Sequence, residues 1–406
     1  MKYSDKSIIL GLEWYMHTIK HLHSLLFYIT SAIDMWLTVV PQSLGDLIIA
    51  VGTRPEIIKM APIMRALERR GYPFTFAHSG QHYNYNLSLQ FIEELGLPKP
   101  DYNLRVRERD PGRQTGRIII GFERIIKAEK PRLLLVEGDT NSVLGAAIAA
   151  NKRNVPVGHV EAGLRSYDLR MPEEHNRRLV DHLSSYLFAP TEVAKRNLER
   201  ESVWGRIYVT GNTVIDACIQ NLPIAESISK IMEDVGPEEY MLATLHRAEN
   251  VDDPKTLKEI IEAFIEAPMR IIFPIHPRTV KRLRKYGLWR RLSKSGNVKL
   301  IPPVGYFDFL LLMKNCRLIL TDSGGIQEEA TAPSIRKFVL VLRISTERPE
   351  AVEAGFARVV GVEKESILRG IEETLNREID LPRFSPYGDG RSGERIAEIV
   401  TKEILA

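Results

Sequence analysis

From Asp46 onward, short apolar runs alternate with longer segments of helical periodicity, the rhythm of parallel strands covered by helices. The runs 47–51, 74–78, 133–136, 157–159, 186–189 and 207–210 predict six strands, and 241–244, 271–274, 299–301, 318–321, 339–342 and 358–360 predict six more. Two series of that size imply an α/β protein with two Rossmann-like sheets in tandem. The expected domains are 46–211 and 212–386, with the seam at Gly211–Thr213. An amphipathic tail within 387–406 is expected to be helical and free to pack back on the first domain.

Residues 1–45 follow neither rhythm. Glu13, Lys20, His21, His23 and Asp34 interrupt every apolar run, and the longest clean stretch, Ser24 to Ile33, is about half of the roughly 18–20 residues a spanning helix needs. A signal peptide fits no better, because Glu13 falls where the apolar region belongs. The segment reads either as a helical extension or as a start assigned too far upstream, and the strand opening at Leu47 favours the second.

Composition narrows the picture further. The 406 residues suffice for about two domains. The 56 basic and 52 acidic residues leave +4 without a basic block, so nucleic acid is not an expected partner. Cys218 and Cys316 are far apart and suit a reducing cytoplasm, and no membrane attachment is expected.

Ligands of open parallel sheets bind beyond the carboxyl ends of strands, and there the candidate chemistry collects. Gly52-Thr53-Arg54-Pro55-Glu56-Ile57-Ile58-Lys59 is a strand-to-helix turn with an arginine at its mouth and a lysine one turn in, suited to an anion. Asp322-Ser323-Gly324-Gly325 offers a second cradle, with Glu329 placed to accept ribose hydroxyls. Two cradles facing one cleft suggest a diphosphate-linked ligand.

Between them, Asp139, Glu161 and Glu173 follow neighbouring strands. Their mutual repulsion and partial burial are expected to raise at least one pKa, as acid/base work on a weakly acidic carbon requires. His246 and His276, beside Arg247 and Arg278, could balance charge on a departing nucleotide, and Arg348 is a further anion ligand. His159, Glu161, His175 and His182 complete no metal-ligand pattern, so no metal is expected. The absence of a GxGxxG turn argues against a nicotinamide cofactor.

Taken together, GTRPEIIKMAPI, SGQHY, EGDTNSVLGAA, GHVEAGLRS, MPEEHNRRLVDH, VTGNTVIDA, HRAEN, LTDSGGIQEEA and TERPEAVEAG resemble the non-hydrolysing UDP-N-acetylglucosamine 2-epimerases, in order from Leu47 to the C-terminus. The resemblance implies a glycosyltransferase-B type fold with UDP in the interdomain cleft, a homodimer, and no cofactor. It also implies interconversion of UDP-N-acetylglucosamine and UDP-N-acetylmannosamine for polysaccharide biosynthesis. UDP leaves C1 as the C2 proton is removed, giving a glycal to which UDP adds back.

On the family's motifs, Asp139, Glu161, Glu173 and His246 take catalytic roles, and the choice of proton acceptor stays open. Arg54, Lys59, His276, Ser323, Gly324, Gly325, Glu329 and Arg348 match UDP-binding positions, and Gln81 and His82 fall where an allosteric substrate site is built. Two departures stand out. Arg336 falls in a segment, 330–338, that replaces a shorter one ending Gly-Lys-Pro, and Ile344-Ser345 stands for the usual Asp-Thr, changes expected to shift this loop against UDP. The alternatives are a hydrolysing epimerase, a glycosyltransferase of the same fold and a nucleotide-sugar sensor without turnover.

Overall fold

The computed structural model describes residues 45–81 and 85–406, the side chains of 85–89 excepted. The proposed extension or misplaced start and the candidate allosteric residue His82 lie outside the described residues. Residues 45–406 form one compact unit built on two parallel sheets.

The first sheet contains β1 (Leu47–Val51), β2 (Thr75–His78), β3 (Tyr102–Asn103), β4 (Leu133–Glu137), β5 (Val157–Val160), β6 (Tyr186–Ala189) and β7 (Arg206–Val209), ordered β3-β2-β1-β4-β5-β6-β7. The second contains β8 (Met241–Thr244), β9 (Ile271–Pro274), β10 (Val298–Ile301), β11 (Leu318–Thr321), β12 (Val339–Val341) and β13 (Ala357–Val359), ordered β10-β9-β8-β11-β12-β13. Strand order reverses between β1 and β4 in the first and between β8 and β11 in the second, the switch points at which doubly wound sheets open a crevice. The two sheets with their covering helices are Rossmann-like layers of the glycosyltransferase-B type, with a cleft between them.

Several strand bounds shift by one residue, and two differences stand out. The two-residue edge strand β3 carries no apolar run and escaped the hydrophobic pattern. β4 runs one residue further than expected, to Glu137, whose register partner on β5 is Val160. Because side chains alternate along a strand, Glu137 shares a face with Leu133 and Leu135. Both of those pack in the core containing α1 (Arg54–Arg69), so Glu137 also faces that helix.

Pro55 starts α1 at a position where a missing N–H costs nothing. Three further helices frame the cleft and the seam: α2 (Asn141–Lys152), α3 (Pro172–Leu183) and α4 (Thr213–Ile228). In the second sheet the short α5 (Gly324–Glu329) follows β11, and near the C-terminus lies α6 (Ser392–Ile399). A single apolar core joins β1 and α1 through Ile215 and Leu222 of α4 to Leu242 and Ile319 of the second sheet. Burial of each such side chain stabilises by roughly 1.5–3 kcal/mol.

The C-terminal chain crosses back to α1. Gly393 approaches so closely that an added Cβ would lie 2.7 Å from the Pro62 carbonyl carbon. Its N–H donates to Asp216 of α4 at 2.8 Å, and the Asn212 N–H donates to the Tyr387 carbonyl at 2.7 Å. The two chain crossings are thereby fastened to each other.

Candidate active site

The first wall of the cleft gathers charge from separate elements. Lys59, one turn into α1, pairs with Glu161 and lies 3.1 Å from Glu137 Oε1. Glu161 follows β5 with φ 67°, a left-handed conformation that costs a non-glycine residue about 1–3 kcal/mol and persists only where the surroundings enforce it. Gly163, two residues on, also has positive φ, and a Cβ there would lie 2.3 Å from the Ala194 carbonyl oxygen.

Burial works against the Glu161 charge. Lys59, Glu137 and Arg348 outweigh it and hold the carboxyl below its usual range. Glu137 goes the other way: burial pushes it well up, Lys59 opposes, and Glu161 and Glu56 push it further. The carboxyl raised by burial and close company is therefore Glu137, which is not one of the three carboxylates expected from the sequence, while Glu161 is held low. Lys59 itself is raised, because its two carboxylates outweigh the cost of burial.

Glu56 supports this wall from beneath. It accepts from the Gly52 N–H at 2.6 Å, Thr53 Oγ1 at 2.8 Å and Thr140 Oγ1 at 2.7 Å, and burial raises it to about 7 despite these donors. Asp139 pairs with Arg177 of α3 at 2.5 Å, and its carbonyl accepts from Asn176 at 2.8 Å.

The two glutamates that open α3 diverge. Glu174 is buried and accepts from both the Ser166 N–H and its hydroxyl at 2.9 Å, while Glu173 is exposed and lines the cleft. Two of the three histidines weighed as metal ligands make other contacts: His159 bridges Asp181 at 2.7 Å and the Gly138 carbonyl at 2.9 Å, and His175 meets the Leu169 carbonyl at 2.9 Å.

The second wall is built from three loops. Asp322, buried after β11, accepts from the N–H groups of His246 (3.0 Å) and Arg247 (2.9 Å) and from the Asn250 side chain (3.2 Å). It also lies 3.3 Å from His246 Nδ1, which aims the other ring nitrogen away from the pair. Burial lowers the His246 pKa, Asp322 opposes, and Arg247 and His276 reinforce the lowering, so the resting ring is neutral near pH 7.

Ser323 precedes α5 and spends no side-chain bond on capping it. Beside Gly324, Arg348 Cζ and Arg247 Nη2 lie 3.6 and 3.9 Å from the point a Cβ would occupy, so two guanidinium groups converge on the helix mouth. Arg348 is buried, donates to Glu328 at 2.5 Å and reaches within 4.0 Å of Glu161, joining the walls. Glu329 is raised to about 7 by burial and by Glu328, with Lys59 opposing. The cleft between the walls measures about 840 Å³ and is lined by Glu173, His246, Arg247, Arg343 and Ile344 among others.

This geometry coincides with a family relationship. The model of UDP-N-acetylglucosamine 2-epimerase matches residues 65–401. The chain belongs to the UDP-N-acetylglucosamine 2-epimerase family. A UDP-N-acetylglucosamine 2-epimerase of Methanocaldococcus jannaschii is 49% identical over 362 residues, covering 87% of this chain and 98% of that one.

A crystal structure of the M. jannaschii UDP-GlcNAc 2-epimerase in complex with UDP-GlcNAc and UDP is similar with a TM-score of 0.79 at 48% identity, over 87% of this chain and 99% of that one. The Neisseria meningitidis UDP-GlcNAc 2-epimerase bound to UDP-GlcNAc is similar with a TM-score of 0.78 at 36% identity, over 88% of this chain and all of that one (100%).

Within this epimerase family fold, the residues expected from the sequence do not all meet. His246, Ser323, Gly324, Gly325, Glu329 and Arg348 belong to the second wall, while Lys59, Asp139, Glu161 and Glu173 belong to the first. Arg54 stands apart, its guanidinium 4.9 Å from the centre of the Phe91 ring, which meets Tyr306 edge-on at 6.2 Å. His276 caps the helix Pro277–Lys285 by accepting the Arg278 N–H at 3.1 Å, its ring 6.2 Å from His246. Gln81 is tied to the start of α2, accepting from Ser142 N at 3.1 Å and Oγ at 2.6 Å.

Arg336 ties the altered segment to the chain at 381–382. Arg336 adopts φ 47°, where glycine is at ease, and its guanidinium donates to the Leu381 and Pro382 carbonyls at 2.5 and 3.2 Å. Ile344 is 88% exposed at the cleft mouth. Sequence reasoning gave no site role to Glu137, Arg177 and Glu328, and named Arg247 only beside His246. The repeated acidic and basic residues after strands were the available signal, and only their distances single these four out.

Proposed function

We propose that this chain interconverts UDP-N-acetylglucosamine and UDP-N-acetylmannosamine without hydrolysis. The observation that carries the reading is the pairing of the two walls: an anion cradle of Arg247, Arg348 and the Ser323–Gly325 turn stands opposite a wall of carboxyl groups, of which Arg348 reaches within 4.0 Å of Glu161. The family membership and the ligands named for its solved members support the same substrate class.

In this reading the second wall grips the diphosphate throughout. His246, oriented by Asp322, stabilises the charge that develops on the β-phosphate oxygen as the C1–O bond breaks. The electrons of the C2–H bond form the C1–C2 double bond of the glycal, and a carboxylate takes the proton. Glu173 faces the open cleft and is assigned one face of C2. Asp139, paired with Arg177, and Glu161, paired with Lys59, are assigned the other face. UDP then adds back as C2 is protonated from the opposite side. Retaining UDP between the walls favours re-addition over attack by water.

Proton NMR with UDP-N-acetylglucosamine in deuterated water tests this. Deuterium at C2 with accumulation of the nucleotide-linked epimer is expected. Free N-acetylmannosamine would assign the chain to the hydrolysing reaction, and UDP binding without exchange would point to a sensor or transferase.

A further inference from the structure

The conjunction of Lys59, Glu137 and Glu161 has a charge problem of its own. Glu137 ends β4 with its side chain 2% exposed, Glu161 follows β5 with 8%, and Lys59 bridges them from α1. The same enclosed cluster extends to Arg348 and Glu328 of the second wall. Glu347 pairs with Arg348 at 3.8 Å and with Arg343 at 3.2 Å and adds one charge of each sign. The cluster therefore contains three cations and four carboxylates, and ionising all seven would leave one uncompensated negative charge out of water, which is costly. One proton balances the cluster.

The distances decide where that proton resides. Glu161 touches Lys59 and lies 4.0 Å from Arg348, so two cations favour its charge. Glu328 has Arg348 Nε at 2.5 Å. Glu137 has only Lys59, at 3.1 Å and shared with Glu161, while Glu56 on α1 faces it with like charge. The Glu137 and Glu161 carboxyl groups are also within hydrogen-bonding reach of each other.

We propose that Glu137 is a positioning residue: its carboxyl keeps one proton between Lys59 and Glu161, and thereby keeps Glu161 anionic and in place opposite Arg348. Glu137, with its side chain 2% exposed, acts through Glu161. The direction in which burial, Glu161 and Glu56 drive Glu137 agrees with this placement, whereas Glu328, which Arg348 holds directly, is raised by burial only to about 7. Glutamine at 137 would present the same shape with a permanent N–H donor, while methionine would fill the volume without one.

For the assignment of Glu161 to chemistry the proposal rests on the epimerase reading, so its first test is independent of activity. Infrared difference spectra of the full chain at pH 7.5, wild type minus Glu137→Gln, should contain the carbonyl band of a protonated buried carboxyl. Absence of the band in folded protein overturns the proposal. The kinetic arm follows C2 exchange across pH: Glu137→Met should lower kcat about 100-fold, and Glu137→Gln should restore most of that loss.

The wild-type rate should fall on the alkaline side as Glu137 ionises, and Glu137→Gln should lack that fall. Near-wild-type activity and matching pH profiles in both the Met and Gln variants would make Glu137 a packing residue and overturn the idea. A Gln variant as slow as the Met variant would show that the proton must leave Glu137, which also overturns it. If wild type shows no exchange at all, the epimerase reading fails, and the infrared band still decides the protonation of Glu137.

Discussion

The two walls of the cleft solve different problems with similar residues. On the first, Lys59, Glu137, Glu161, Asp139 and Arg177 come from α1, β4, the turn after β5 and α3, and their pairings span up to 102 positions of sequence. On the second, one buried aspartate, Asp322, organises the 246–250 loop, and Arg348 closes over Gly324. The first wall drives the pKa values of the close neighbours Glu137 and Glu161 in opposite directions, which suits proton transfer. The second sets fixed donors and cations around an empty-handed helix start, which suits holding an anion. Perturbing one wall should separate chemistry from binding.

The largest expected effect is on the first wall. Glu161→Gln should reduce C2 exchange and turnover by about 1,000-fold or more while UDP affinity by calorimetry changes only a few-fold. A parallel loss of UDP binding would erase the distinction between the walls.

The next effect concerns stability. Glu56 is raised from 4.5 to about 7, so the folded chain binds more protons than the unfolded chain between those values. The stabilisation is present in full below about 4.5 and is lost as pH rises through about 7, a span worth about 3 kcal/mol. Glu56→Gln cannot titrate, so the wild-type minus variant stability, measured by urea unfolding at pH 4.5 and 8, should fall by about that amount. A difference independent of pH would remove Glu56 from the account.

On the second wall, Arg247→Ala should weaken UDP binding about 10- to 30-fold with a smaller effect on the rate of bound substrate, the loss of a charge-assisted contact worth about 1.5–2 kcal/mol. A loss confined to kcat would place Arg247 with the chemistry. The smallest effect concerns the loop behind this wall. Arg336→Gly relieves the left-handed backbone while losing the two carbonyl contacts, and Arg336→Ala loses the contacts without relief. The alanine variant should therefore be less stable than the glycine variant by about 1 kcal/mol in urea midpoints at pH 7.

Much of this was legible beforehand for a physical reason. Apolar runs of three to five residues bounded by turns announced twelve strands, and the residues just past their ends were the right places to inspect. The pair Glu173 and Glu174 marks where that legibility stopped. They are chemically identical neighbours, yet helix geometry turns one into the cleft and the other under Ser166. Arg54 likewise stands after the first strand as expected and stacks on Phe91, a residue that only the packing of the helix Tyr85–Glu94 brings to it.

The chain's periodicity, together with its glycines and prolines at strand ends, is a local property, and it determined the fold class, the two sheets and the composition of each turn. Protonation is not local. Whether Glu137 holds a proton and Glu161 a charge depends on Lys59, Arg348, Glu328 and Glu56 arriving within a few ångströms in a region with little water. Coulomb interaction strengthens as distance and dielectric fall, so only the tertiary structure could decide which of many carboxylates serves as base, donor or support.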